Sequence, residues 1–152
     1  MRIPTATYRI QFNHLFGFSQ AREIVPYLGL LGVSHLYASP IFAAREKSLH
    51  GYDIVDPGQI NPELGGLQEL RSLVGALRER GLAWLQDIVP NHMAYDSANA
   101  MLMDIFENGR ASTFAHFFDI DWDHPYENMK GRILTPLLGS FYAEALESGR
   151  IT

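Results

Sequence analysis

The stretch WLQDIVPNHM, Trp84 to Met93, decides how the rest of the chain is read. Its apolar lead-in, beginning at Leu82, has the pattern of a strand buried on both faces, as in a parallel sheet. Asp87 then stands near the strand's end, and Asn91 and His92 follow directly after Pro90. In parallel α/β folds, ligands meet the carboxyl ends of the strands, so polar side chains gathered there point to a site. The plainer alternative is a turn in which Asp and Asn cap backbone groups and His fills space. Three such residues together after a buried strand weigh against it.

Working back from Trp84, the stretch LQELRSLVGALRERG reads as a helix. Leu67, Leu70, Val74 and Leu77 form its apolar stripe, Arg71, Arg78 and Arg80 face solvent, and Gly81 ends it. VSHLYASP, Val33 to Pro40, is a second strand, apolar on both faces. Before it, GFSQAREIVPYLGLLG predicts a helix with Ser19 as cap, a stripe of Ile24, Tyr27, Leu28 and Leu31, a kink at Pro26 and a stop at Gly32. ATYRIQF, Ala6 to Phe12, is a first strand. Strand, helix, strand, helix, strand predicts an α/β fold with a parallel sheet and right-handed crossovers. Between Pro40 and Gly66 the pattern has almost no period, and connections that long are often functional.

Beyond Pro90 the rhythm breaks. SANAMLMDIFENG reads as a short helix from a Ser97 cap to Gly109, FAHFFDIDWDHPYE mixes aromatics with acids, and RILTPLLGSFYAEALESGRIT reads as an apolar turn and a short helix. This part is expected to be a subdomain inserted after the third strand. Asp119, Asp121 and Asp123 alternate like the start of a calcium loop, but His124 stands where that loop needs Gly and Lys130 where it needs Glu. An acidic lip or simple solvation is the better reading. His14, His35 and His116 have no ligand-like spacing, and no metal is assigned.

Composition narrows the function classes. The 152 residues are 47% hydrophobic and 12% aromatic, which excludes a disordered chain. The net charge of −5 comes without any Lys/Arg run, so nucleic acid is not an expected partner. With no cysteine there are no disulfides or thiolate metal sites. No signal-like N-terminus or apolar run of ~18 residues is present, so a cytoplasmic protein without a membrane partner is expected. There is no phosphate-binding glycine loop and no G-x-S-x-G, and no cofactor is expected.

QDIVPNH, Gln86 to His92, resembles the first signature region of the α-amylase superfamily, glycoside hydrolase family 13, which lies at the end of the third strand of a (β/α)8 barrel. HGYDIVDPGQINPELGG, His50 to Gly66, is similar to the segment those enzymes place after their second strand. The resemblance implies that residues 1–93 are the first three βα units of a (β/α)8 TIM barrel, and that 94–152 start the inserted subdomain. ATYRIQF, GVSHLYASPIF, FFDIDW and LLGSFYAEALESG narrow it to members that isomerise the reducing-end α-1,4-glucosidic linkage of a maltooligosaccharide to an α,α-1,1 (trehalosyl) linkage. One departure is Ala143, where this resemblance leads one to expect glycine.

The resemblance also implies roles. Tyr52 would stack beneath the sugar ring in the −1 subsite, where an aromatic face tolerates an oxocarbenium-like transition state. His92, and with it His50, would hydrogen-bond hydroxyls of that sugar, since neutral imidazole offers one donor and one acceptor in fixed directions. Asp53 would close the pocket around the terminal sugar. Asp87 would orient groups of the site by hydrogen bonds without attacking anything. Asn91 binds calcium in several members of the superfamily, but its other ligands are not recognisable here, and it is grouped with Asp87. For Asp53 and Asp56 the plainer role is to satisfy loop amides.

Retaining chemistry on an α-glucosidic bond needs two carboxyl groups about 5 Å apart. The resemblance puts the nucleophile Asp after the fourth strand and the acid/base Glu after the fifth, beyond the three strands read here. A full barrel takes about 250 residues. No catalytic residue is therefore expected within these 152 residues, and taken alone they are expected to be inactive, with strand edges through which they could self-associate. Two other classes stay open: a hydrolase or 4-α-glucanotransferase of the same superfamily, and a non-catalytic glucan-binding or interaction module.

Overall fold

A computed structural model of the chain describes residues 3–135 and 138–151. They form two compact units, one ending at Ala100 and the other beginning at Met101. The first runs β1 (Thr7–Ile10), α1 (Phe18–Glu23), α2 (Val25–Leu31), β2 (His35–Ala38), β3 (Phe42–Ala44), β4 (Ile54–Ile60), α3 (Gly66–Glu79) and β5 (Ala83–Gln86). β1, β2 and β5 make a parallel sheet in that order. The α/β class and the parallel pairing read from the sequence are therefore present.

Register explains which side of the sheet is core. Tyr8 pairs with Leu36 and Leu36 with Trp84, while Ile10 pairs with Ala38. Partners in a parallel ladder share a face, so these residues line one side. All of them belong to or pack on the buried cluster to which α1, α2 and α3 contribute Phe18, Leu28, Leu73 and Leu77. Phe12, just past β1, sits between Phe18 (ring centroids 5.2 Å apart) and Trp84 (6.1 Å, stacked). Fully burying a side chain of this size stabilises by roughly 1.5–3 kcal/mol. The opposite side carries Thr7, Arg9, Tyr37 and Leu85.

Several local expectations are corrected. The first helix starts at Phe18, with Gly17 before it, so Ser19 is not the cap; Gln20 Oε1 instead accepts the Gly17 amide at 3.0 Å. Its buried stripe is Phe18, Ala21, Val25 and Leu28, whereas Tyr27 and Leu31 are half exposed. The kink at Pro26 is a full break. Proline has no amide to continue the ladder, and it is accommodated in the first turn of α2, where that amide has no partner to lose. In α3 the buried residues are Leu73 and Leu77 with Leu70 packed beside them, and Leu67 is half exposed.

The connection after β2 is not structureless. β3 and β4 pair antiparallel, with Phe42 opposite Ile60 and Ala44 opposite Ile54, through two register shifts. Bulges of this kind destroy a two-residue period, and Pro57 and Gly58 read as turn signals, which is why the ribbon is hidden in the sequence. Asp56 Oδ1 accepts the Gly58 amide at 2.8 Å, the backbone-satisfying role considered for it. Asn61, buried, caps a 3-10 turn at Pro62–Leu64 by accepting from Glu63 N–H at 2.9 Å.

The second unit follows from α4 (Ala100–Asn108), which begins three residues after the expected Ser97 cap. Asp104 accepts a hydrogen bond from Ser112. Arg110 pairs with Asp123 at 2.6 Å and lies over the Trp122 ring. α5 (Tyr142–Glu147) is the expected last helix, and Ala143 sits in its first turn. The apolar turn expected before it includes Pro136 and Leu137, which lie outside the described residues. No helix among the described residues is long and apolar enough to cross a membrane.

Candidate functional site

The site begins where β5 ends. Asp87 N–H donates to Ala38 O at 2.9 Å, extending the β2–β5 ladder by one residue. Gln86 braces the chain there, donating through Nε2 to the carbonyls of Ser39 (3.1 Å) and Asp87 (2.7 Å). The Asp87 carboxylate is thus fixed from its backbone outward, and Oδ2 accepts the Tyr52 hydroxyl at 2.5 Å.

Tyr52 comes from the turn of the β3–β4 ribbon. Gly51 takes φ +74°, and a Cβ there would stand 2.7 Å from Pro40 O, so the sharp entry to Tyr52 needs glycine. Ser48 Oγ accepts the Gly51 amide at 3.1 Å and donates to Asp53 Oδ1 at 2.5 Å. His50 Nδ1 accepts the Tyr52 amide at 3.0 Å. With Nδ1 accepting that amide, the ring's N–H is left to Nε2, and Nδ1 also lies 3.7 Å from Asp53 Oδ1. Arg45 ties the base of the turn to the segment after β5, reaching Asp96 at 2.8 Å and Tyr95 O at 2.6 Å.

Arg9, on β1, completes the cluster. Its Nη2 donates to the Tyr52 hydroxyl at 3.0 Å and lies 4.0 Å from Asp87 Oδ2. Donation to Asp87 pushes the Tyr52 hydroxyl above its ordinary pKa; burial adds to this, and Arg9 opposes it and is outweighed. The bond to Tyr52 in turn holds the guanidinium above its ordinary value. The phenol therefore keeps its proton, and Asp87 is engaged as its acceptor. Such an arrangement holds a ring in place; it does not supply a free nucleophile.

Of the six residues read from the sequence, the structure brings Tyr52, Asp87, His50 and Asp53 into one neighbourhood. Asn91 and His92 lie farther along the loop after β5, exposed and outside this network. Arg9 was not anticipated. The available signal was a charged residue between Tyr8 and Ile10 in an otherwise uncharged strand. The acidic run of the second unit is partly accounted for by Arg110, which pairs with Asp123, and by Asp121, which accepts the Asp123 amide at 3.2 Å.

The hydrogen-bonded Tyr52–Asp87 pair stands at the carboxyl end of a parallel sheet, the end at which α/β folds meet their ligands. Residues 21–138 match the family model of the alpha amylase catalytic domain, and the chain belongs to that family. Within it, the similarity that covers most of this chain is to one kind of member. A Mycobacterium tuberculosis protein bearing the name maltooligosyl trehalose synthase is 46% identical over 142 residues, covering 89% of this chain and 18% of that protein. A crystal structure of a maltooligosyl trehalose synthase superposes with a TM-score of 0.81 at 40% identity, over 97% of this chain and 20% of that one. A cyclomaltodextrinase of Geobacillus thermopakistaniensis is 36% identical over 94 residues, 62% of this chain and 15% of that protein. The chain thus spans about a fifth of the length of the relatives it matches.

Proposed function

We propose that this chain supplies part of the −1 subsite wall of an enzyme that isomerises the reducing-end α-1,4-glucosidic linkage of maltooligosaccharides to an α,α-1,1 linkage. The observation that carries this reading is the Tyr52–Asp87 hydrogen bond, which fixes an aromatic ring at the carboxyl end of the sheet. The likeness to maltooligosyl trehalose synthases supports the choice of reaction. In this reading the sheet is the first three-strand segment of a (β/α)8 barrel. The Tyr52 face receives the sugar, and His50 Nε2–H and His92 bond its hydroxyls. Asp53, held by Ser48, closes the pocket at the chain end, as an enzyme acting on a terminal unit requires. Two carboxyl groups about 5 Å apart complete retaining chemistry, and neither is assigned to the residues of this chain.

The test uses a chain of the relatives' full length carrying this segment, incubated with maltopentaose while reducing ends are assayed. Loss of reducing ends without new small sugars is expected. New reducing ends would instead mark a hydrolase, the second reading, which the match to cyclomaltodextrinase favours over part of the chain.

A further inference from the structure

Residues of β1 facing away from the helices alternate as Thr7, Arg9 and, just past the strand, Gln11. Two of these reach the same loop. Arg9 donates through Nη2 to the Tyr52 hydroxyl at 3.0 Å and through Nη1 to Gln11 Oε1 at 2.8 Å; Gln11 donates to Leu49 O at 3.1 Å. The guanidinium also lies 5.6 Å from the centre of the Tyr37 ring on β2, next to it in register.

We propose that Arg9, braced by Gln11, is a positioning residue: it clamps the Tyr52 turn to β1 at two points and fixes the tyrosine ring face where a sugar is received. This rests on the sugar-binding reading of Tyr52. The physical case is that the bonds within the turn brace its backbone and Asp53, whereas the Tyr52 ring is held at its hydroxyl end by Asp87 and Arg9. A hydroxyl gripped on one side by a carboxylate and on the other by a guanidinium leaves the ring one orientation. Guanidinium suits the task because its planar fork aims two donors at fixed angles, toward Gln11 and Tyr52 together. A lysine ammonium has no such fork. With both ends engaged, Arg9 acts on a ligand through Tyr52 and not by touching it.

Two measurements decide this. In a full-length chain carrying this segment, with ¹³C-labelled tyrosine, the Tyr52 ring signal is identified by its absence in Tyr52→Phe. Arg9→Met is expected to shift or broaden that signal, and Arg9→Lys to do so partially; an unchanged signal in Arg9→Met overturns the clamp. In a full-length chain carrying this segment, Arg9→Met is expected to lower kcat about tenfold with KM changed less than about threefold. In a Tyr52→Phe background the same substitution should cost almost nothing more, because the bond it removes is already gone. Additive losses would show that Arg9 acts elsewhere and would overturn the proposal. If Tyr52→Ala abolishes turnover while Arg9→Met leaves it intact, the clamp is wrong and the sugar-binding reading stands. If Tyr52→Ala itself leaves turnover intact, that reading fails and the clamp's role falls with it.

Discussion

At the residue scale, one hydroxyl joins three separate parts of the chain. Tyr52 Oη accepts from Arg9 on β1 and donates to Asp87 after β5, while its own backbone belongs to the β3–β4 turn. A phenol whose folded pKa is raised stays protonated in the native state after the unfolded state has lost its proton. Its contribution is therefore complete below the ordinary tyrosine value of about 10 and is lost as pH rises from there through the raised value. Denaturant unfolding of a full-length chain carrying this segment, followed from pH 8 upward, is expected to show stability falling more steeply above about pH 10 than in its Tyr52→Phe variant. Parallel profiles for the two would show that the Tyr52–Asp87 bond is not kept in solution. His92 makes a contrasting case: it is exposed and outside the network, so its removal has little folded structure to disturb. In a full-length chain, His92→Ala is expected to cost about 2–4 kcal/mol of transition-state stabilisation with little change in melting temperature. Near-normal turnover with a melting point several degrees lower would assign it a structural role.

At the scale of elements, glycine marks the difference between a turn that must be sharp and a helix that merely tolerates it. Gly51 needs its positive φ and faces Pro40 O, so Gly51→Ala is expected to destabilise by about 1–3 kcal/mol and to weaken maltooligosaccharide handling by moving Tyr52. Gly75 lies inside α3, has no positive φ, and has open space where a methyl group would sit. Gly75→Ala is accordingly expected to stabilise a full-length chain carrying this segment by about 0.5–1 kcal/mol, read from the urea midpoint, with no effect on function. Opposite signs at the two glycines check the backbone assignments of both elements. The ribbon carrying Gly51 was not legible in the sequence, because pattern reading assumes regular pairing and β3–β4 is bulged twice. α3 was legible as a helix because its apolar residues recur at helical spacing. Its inward face came out rotated, with Leu73 buried in place of Leu67, since a sequence cannot say which of two adjacent apolar rows meets the sheet.

At the scale of the whole chain, β1 and β5 are the outer strands of the three-stranded sheet. The sheet face opposite the helices shows Leu85 to solvent at 38% exposure, with Ile88 just beyond at 60%. Apolar strands of a parallel sheet are suited to neighbours on both edges and cover on both faces. At about 25 cal/mol per Å², a few hundred Å² of such surface left wet forgoes on the order of 5–10 kcal/mol, comparable with the stability of a domain. These 152 residues on their own are therefore expected to self-associate or to melt at low temperature without cooperativity. Sedimentation and a thermal scan check this; a monodisperse, cooperatively melting monomer would show that the edges are adequately protected.

The sequence by itself determined the α/β class, the three parallel strands, a disturbance of the first helix at Pro26, and the place of Asp87 at the end of the third strand. Each of these follows from local chemistry: apolar runs, a missing amide, or charged groups where a buried strand stops. It also marked Tyr52 and Asp87 separately, through two short motifs far apart in the chain. Only the tertiary structure decided that the two share a hydrogen bond, that His50 and Asp53 join their neighbourhood while Asn91 and His92 stay outside the network, and that Arg9 belongs with them. Pairing in a parallel sheet is set by register between strands distant in sequence, and a loop's reach is set by its bulges. Neither quantity has a local signature, so the residues were readable one by one while their partnership was not.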